Sequence, residues 1–187
     1  HDPKAFTQGL VWHEGALYES TGLNGQSSLR RVALETGKVA QQVEVPAQFF
    51  AEGLALAGDR LYQLTWQSHA GFIYDIKDFS PLGGFTYEGE GWGLCYDGGR
   101  LIRSDGSADL IFHTAQEFRE TGRVTVTQGG EPVRELNELE CVDGQVYANV
   151  WQTDRILRID PETGVVGAEI DASGLLTAAE RSASDVL

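Results

Sequence analysis

At 187 residues and 41 % hydrophobic content, the chain is long enough for one domain with a sizeable core. Lys and Arg number 14 against 28 Asp and Glu, a net charge of −14, which disfavours nucleic-acid and anionic-membrane partners. No apolar run approaches the ~18 residues of a membrane span, and methionine is absent, so a processed or trimmed chain is expected.

Read from the first residue, short apolar runs alternate with turn signals throughout. The first group predicts strands at Phe6–Trp12, Ala16–Ser20, Ser28–Leu34 and Lys38–Val45, with Thr36-Gly37 as the last turn. The second predicts Phe50–Leu56, Arg60–Trp66, Gly71–Asp75 and Leu82–Tyr87. The third predicts Gly91–Tyr96, Arg100–Ser104, Asp109–Thr114 and Gly122–Thr127. The fourth predicts Leu136–Val142, Gln145–Trp151, Arg155–Asp160 and Val165–Asp171. Ala57-Gly58-Asp59, Asp97-Gly98-Gly99, Asp143-Gly144 and Glu162-Thr163-Gly164 supply hairpin turns. The Ala-rich stretch Ser173–Ser184 reads as a short helix or an inter-blade loop.

The groups repeat. Each opens alike: Gln8-Gly9-Leu10, Glu52-Gly53-Leu54, Trp92-Gly93-Leu94, Asn137-Glu138-Leu139. The second position of each second run falls at residue 18, 62, 102 and 147, a period of roughly 40–45 residues, the signature of a propeller blade. The expectation is an all-β chain, one β-propeller domain over residues 1–187 with four visible blades at about 6–45, 50–87, 91–127 and 136–171. The repeat also places Gln8, Glu52, Trp92 and Asn137 at one equivalent point, where strand-end loops converge on a shared mouth.

Glu52, beside Phe49 and Phe50, is the candidate general acid/base, because partial desolvation raises a carboxyl pKa. A loop-capping carboxylate is the plainer alternative. Trp66 and Trp151 end second strands and Trp92 opens a repeat. Strand ends bury an indole poorly, so three there predict a lined pocket rather than three core residues. Gln8 and Asn137 are amides able to hold a substrate amide or a developing oxyanion. His1, His13, His69 and His113 share no ligand-like spacing, so neither a zinc site nor a catalytic triad is expected. No Gly-rich phosphate loop occurs. Cys95 and Cys141 lie at comparable places in repeats three and four. A disulfide is open to them, but two small buried thiols are the expectation.

Several blocks resemble the plant-type glutaminyl cyclases, bacterial members above all. They include His1-Asp2-Pro3 with Ala5-Phe6-Thr7-Gln8-Gly9-Leu10, Tyr18-Glu19-Ser20-Thr21-Gly22-Leu23, Leu61-Tyr62-Gln63-Leu64-Thr65-Trp66, Arg103-Ser104-Asp105-Gly106-Ser107 and Asn149-Val150-Trp151-Gln152-Thr153-Asp154. The resemblance implies a five-bladed propeller that converts N-terminal glutamine of peptides or proteins to pyroglutamate with loss of ammonia, independently of zinc. It matches the catalytic glutamate to Glu52, the pocket amides to Gln8 and Asn137, and the pocket tryptophans to Trp66, Trp92 and Trp151. No catalytic cofactor is expected; a structural calcium could lie in the central channel. A secreted or periplasmic location is expected. The family also uses a lysine in its fifth blade, and neither has a counterpart in the four repeats, so weak or no activity is expected unless a fifth blade is supplied. A calcium-dependent propeller lactonase or esterase and a non-catalytic binding scaffold are the rival readings.

Overall fold

In the computed structural model, residues 2 and 4–177 are described. Among them every regular element is a strand. The first sheet runs β1 (Thr7–His13), β2 (Ala16–Thr21), β3 (Ser28–Ala33) and β4 (Val39–Glu44); the second runs β5 (Ala51–Ala57), β6 (Arg60–Thr65), β7 (Ala70–Asp75) and β8 (Pro81–Thr86). The third comprises β9 (Leu94–Tyr96), β10 (Leu101–Arg103), β11 (Asp109–His113) and β12 (Glu120–Thr125). A small hairpin, β13 (Thr127–Gln128) and β14 (Glu131–Pro132), precedes the fourth sheet of β15 (Leu136–Val142), β16 (Gln145–Val150), β17 (Arg155–Ile159) and β18 (Val166–Asp171). Each four-stranded sheet is an antiparallel meander in chain order. This is a propeller arrangement of four blades, as the period requires.

Burial falls from the axis outward. The innermost strand of the second blade is almost wholly buried, whereas β4 alternates half-buried with exposed and β18 is nearly all exposed. An inner strand is covered on both faces; an outer strand is a solvated edge. The core lies between blades rather than within them. Tyr18 and Leu29 pack with Leu54, Leu61 and Tyr74; Tyr62 and Leu64 with Leu94, Leu101 and Phe118; Ile102 and Leu110 with Leu139, Ala148 and Leu157.

The glycine of the repeated opening has a steric cause. A Cβ at Gly9 would lie 2.6 Å from the Leu54 amide nitrogen, and one at Gly53 would lie 2.5 Å from the Trp92 carbonyl oxygen. Inner strands of successive blades approach backbone to backbone there, which only glycine permits. The Gly53 N–H in fact donates to the Trp92 carbonyl at 2.7 Å.

Two expectations need correction, one element goes unforeseen, and one pair of alternatives is narrowed. Cys95 and Cys141 are disulfide-bonded, their Cα atoms 5.4 Å apart, because the neighbouring inner strands β9 and β15 pass within bridging distance there. Gly91–Gly93 stand outside the ladder that begins at Leu94. The β13–β14 hairpin around Gly129-Gly130 escaped a reading that looked only for four strands per repeat. Of Ser173–Ser184, residues 173–177 contain turns and no helix, and the remainder lies outside the described residues.

Candidate active site

Three of the four inner strands are irregular at the same point. Register shifts fall between Thr7 and Gly9, between Ala51 and Leu54, and between Leu136 and Leu139. Gln8, Glu52 and Asn137 therefore sit on bulges, which re-aim side chains out of the alternating pattern.

Glu52 is 5 % exposed. Its pKa lies well above the usual carboxyl range: burial raises it most, a hydrogen bond from the Gln8 side chain opposes this, and the negative charge of Glu90 adds to it. Gln8 thus faces the carboxyl directly. Gln8 and Asn137 both line a cavity of about 220 Å³, together with Thr7, Glu138, Asn149 and Trp151. The backbone of Asn137 is fixed from the third blade: the Ser104 hydroxyl donates to its carbonyl at 2.7 Å and accepts the Gly93 N–H at 2.7 Å.

The tryptophans fall in two ring groups, Trp66 with Phe6 and Phe50, and Trp92 with Trp151. The rings of Phe6 and Phe50 meet edge-on at 5.9 Å, Phe50 and Trp66 at 5.8 Å, and Trp92 and Trp151 at 5.6 Å. Trp66 and Trp151 remain 38 % and 43 % exposed, each one residue past its strand, so their faces are open to a ligand.

Two carboxylates were not singled out from the sequence. Glu90 accepts the Trp66 indole N–H at 2.6 Å and the Trp92 indole N–H at 2.9 Å on one oxygen, and the Gln67 amide at 2.8 Å on the other. Desolvation raises its pKa, but the bonds from Trp92, Gln67 and Trp66, then the charge of His69, outweigh that and leave it below the usual value. Glu138 occupies the slot that glycine fills in the other openings. Its Oε1 accepts the Leu10 N–H at 3.0 Å, tying β15 to β1, while Oε2 is buried without a partner. Burial raises its pKa well above normal, with Glu140 and Glu52 adding to the effect. The signal for Glu138 was in the repeat itself, the one opening without glycine. Among the described residues no group of three or more His, Cys, Asp or Glu is placed to hold a metal ion.

Gln8, Asn137 and Trp151 line one cavity, which Glu52, Trp66 and Trp92 do not line. Glu52 is linked to that cavity through Gln8, and a buried carboxyl beside amides and indoles has the groups for acid–base chemistry on a small polar ligand. Comparison with known proteins narrows this class. The family model described as glutamine cyclotransferase matches residues 1–187, and the chain belongs to that family. It is 45 % identical over 166 residues to a glutaminyl-peptide cyclotransferase of Arabidopsis thaliana, an alignment covering 88 % of this chain and 52 % of the relative; the chain thus spans about half the length of that curated relative. The crystal structure of Myxococcus xanthus glutaminyl cyclase superposes with a TM-score of 0.88 at 46 % identity, covering 94 % of this chain and 74 % of the other. The WD40 repeats of RRP9, at 13 % identity and a TM-score of 0.59 over 89 % of this chain and 51 % of theirs, share the fold alone.

Proposed function

We propose that this chain is a glutaminyl-peptide cyclotransferase, acting within one propeller domain on peptides or proteins that begin with glutamine. One observation carries the reading: a buried carboxyl of raised pKa, Glu52, held by the Gln8 amide at a mouth walled by indoles. The substrate's α-amine attacks its own γ-carboxamide carbon. The new C–N bond closes a five-membered lactam through a tetrahedral intermediate, and the bond to the amide nitrogen breaks. Because the reaction is intramolecular, the site need only hold the folded conformer and move protons.

Glu52 takes the proton that the attacking amine loses and returns it to the leaving nitrogen, which departs as ammonia. A raised pKa brings its proton affinity closer to that of an N-terminal amine, near ~7.7–8. Gln8 holds Glu52, and Gln8 and Asn137 offer amide donors to the γ-carbonyl oxygen as it gains charge. Trp66, Trp92 and Trp151 pack the side-chain methylenes and limit water. The steps use no cofactor.

A structural calcium in the axial channel belongs to the same proposal. Calcium takes roughly six to eight oxygen ligands; inner-strand carbonyls converging on the axis and water would supply them, since among the described residues no group of three or more His, Cys, Asp or Glu is placed to hold a metal ion. The Cys95–Cys141 disulfide supports a secreted or periplasmic location, since such bonds persist in oxidising compartments. Among the described residues no helix is long and apolar enough to cross a membrane. Incubation with a Gln-initiated peptide tests the activity: the product should be lighter by one ammonia and resistant to amine labelling. An unchanged peptide mass would refute it.

A further inference from the structure

We propose that Glu90 is a positioning residue of this site, whose carboxylate, anchored through its backbone by Arg103, fixes the Trp66 and Trp92 indoles as two walls of the substrate mouth. The inference rests on the cyclase reading of that mouth.

Glu90 lies in the loop from the second blade to the third. The donors it gathers come from both sides of that loop: Trp66 and Gln67 from the turn after β6, and Trp92 from just before β9. An indole has one donor and two soft torsions, so one charge-assisted bond at the N–H largely settles its orientation. Two indole bonds to a single carboxylate oxygen set the two rings relative to each other, which packing on an open mouth does not do.

The loop itself is clamped. Arg103 is about 1 % exposed. Its guanidinium donates to the carbonyls of Glu90 and Glu88, the latter at 3.0 Å, and lies 4.9 Å from the Tyr87 ring centroid. Its Nε–H points at His113 Nε2, 3.3 Å away. Arginine can only donate, so His113 is a neutral acceptor there and its Nδ1–H donates to the Phe118 carbonyl at 3.1 Å. Around the other side, the Tyr87 hydroxyl donates to the Thr65 carbonyl and accepts the Thr65 N–H at 3.0 Å, and Gly91 N–H donates to the Trp66 carbonyl at 2.9 Å. These bonds tie the Glu90 loop to the backbone that carries Trp66.

Glu90 is not a second acid–base group. Three donors occupy its oxygens, and they hold its pKa below the usual value while that of Glu52 is raised. Two neighbouring carboxylates tuned in opposite directions divide the labour: one moves protons, the other stays ionised and holds the walls.

Two variants separate holding from charge. Glu90→Ala removes the acceptor for both indoles. Glu90→Gln keeps an acceptor oxygen for them, with Gln67 turning its own amide to meet the new NH₂. For Glu90→Ala, kcat/KM on a Gln-initiated peptide should fall by about 10–100-fold, mostly through KM, and the near-ultraviolet dichroism of the indoles should change. Glu90→Gln should restore both KM and spectrum. Wild-type KM and spectrum in Glu90→Ala would overturn the proposal, as would a Glu90→Gln enzyme as impaired in KM as Glu90→Ala. Should Glu90→Ala not fold, replacing Trp66 or Trp92 by the benzothiophene isostere of tryptophan, which keeps the bicyclic ring and lacks the N–H, asks the same question; unchanged KM in both would overturn it. If the wild-type protein cyclises no such peptide, the cyclase reading fails, while the dichroism still decides whether Glu90 holds the indoles.

Discussion

Glu52 and Glu138 occupy neighbouring points of the repeat, first and second position of their openings, and burial raises both pKa values, yet their surroundings differ. Glu52 receives the Gln8 amide, feels the charge of Glu90, and stands at a mouth lined by aromatic rings. Glu138 spends one oxygen on the Leu10 N–H and leaves the other without a partner. Burial alone does not make a working acid. It sets the proton affinity; the neighbours decide whether the proton has anywhere to go. Glu138 lines the cavity but bonds a backbone amide between two inner strands, a bracing contact, whereas Glu52 bonds the Gln8 side chain.

The sharpest way to break that distinction is to neutralise each carboxyl in turn. Glu52→Gln should lower kcat by on the order of 10²–10⁴ with little change in KM, while Glu138→Gln should leave kcat within a few-fold of wild type. A steady-state comparison on one Gln-initiated peptide checks both. Near-normal turnover in Glu52→Gln would remove it from proton transfer, and an equal loss in the two variants would erase the contrast drawn here.

A second test concerns what holds the strand bearing Glu138 in place. The Cys95–Cys141 bridge joins the inner strands of the third and fourth blades and closes a loop with a sequence separation of 46 residues. Its removal by Cys95→Ala with Cys141→Ala should cost about 2–4 kcal/mol of stability, chiefly by freeing the unfolded chain. Denaturant midpoints of the two proteins measure this. If the bridge braces β15 against β9, Glu52-dependent turnover should survive its loss at low temperature.

The architecture was legible because it is stated four times. A single Gly-Leu step means little, but three at a spacing near one blade, with Glu138-Leu139 at the fourth, mark each inner strand, and most strand bounds follow to within one or two residues. The reading failed where a residue's meaning comes from contacts distant in sequence. Glu90 lies in a loop with no pattern of its own, and its role appears only once Trp66, Gln67 and Trp92 converge on it. Glu138 stands where three repeats hold glycine, and a side chain where they tolerate none is itself information. The disulfide is hidden for a related reason: the repeat sets Cys95 level with Glu140 rather than with Cys141, and only the packing of β9 beside β15 brings the two sulfurs together. Arg103, buried and polar, could not have been told from a surface arginine by sequence alone.

Acid should expose the bracket that supports Glu90. Burial, then the charge of Arg103, lowers His113 from its ordinary 6.5 to about 4. The unfolded chain therefore binds more protons than the folded one between those values. The stability His113 contributes is fully present above pH 6.5 and is lost as pH falls towards 4. The loss should be on the order of 2–3 kcal/mol. Thermal unfolding scanned from pH 7 to 4 should show this slope, and His113→Gln, neutral throughout, should flatten it. An unchanged slope in that variant would show that protonation of His113 does not drive the acid loss.

Glu138 should behave in the opposite sense, and its effect is the smallest expected. Its folded pKa is raised, so the folded protein binds the proton more tightly than the unfolded chain, whose carboxyl titrates near ~4.3. Its contribution is favourable below that value and is lost as pH rises through the folded pKa. Ionising this buried carboxyl, with one oxygen unpartnered, costs the fold. Glu138→Gln keeps an acceptor for the Leu10 N–H and removes the charge. It should gain on the order of 1 kcal/mol at pH 7.5, about 2–4 °C in Tm for a chain of this size, and nothing at pH 4, where the native side chain is already protonated. A gain at both pH values would mean that the amide packs better for reasons unrelated to charge. A loss at pH 7.5 would show that ionised Glu138 has a cationic partner, and that this carboxylate, like Glu90, is held for its charge.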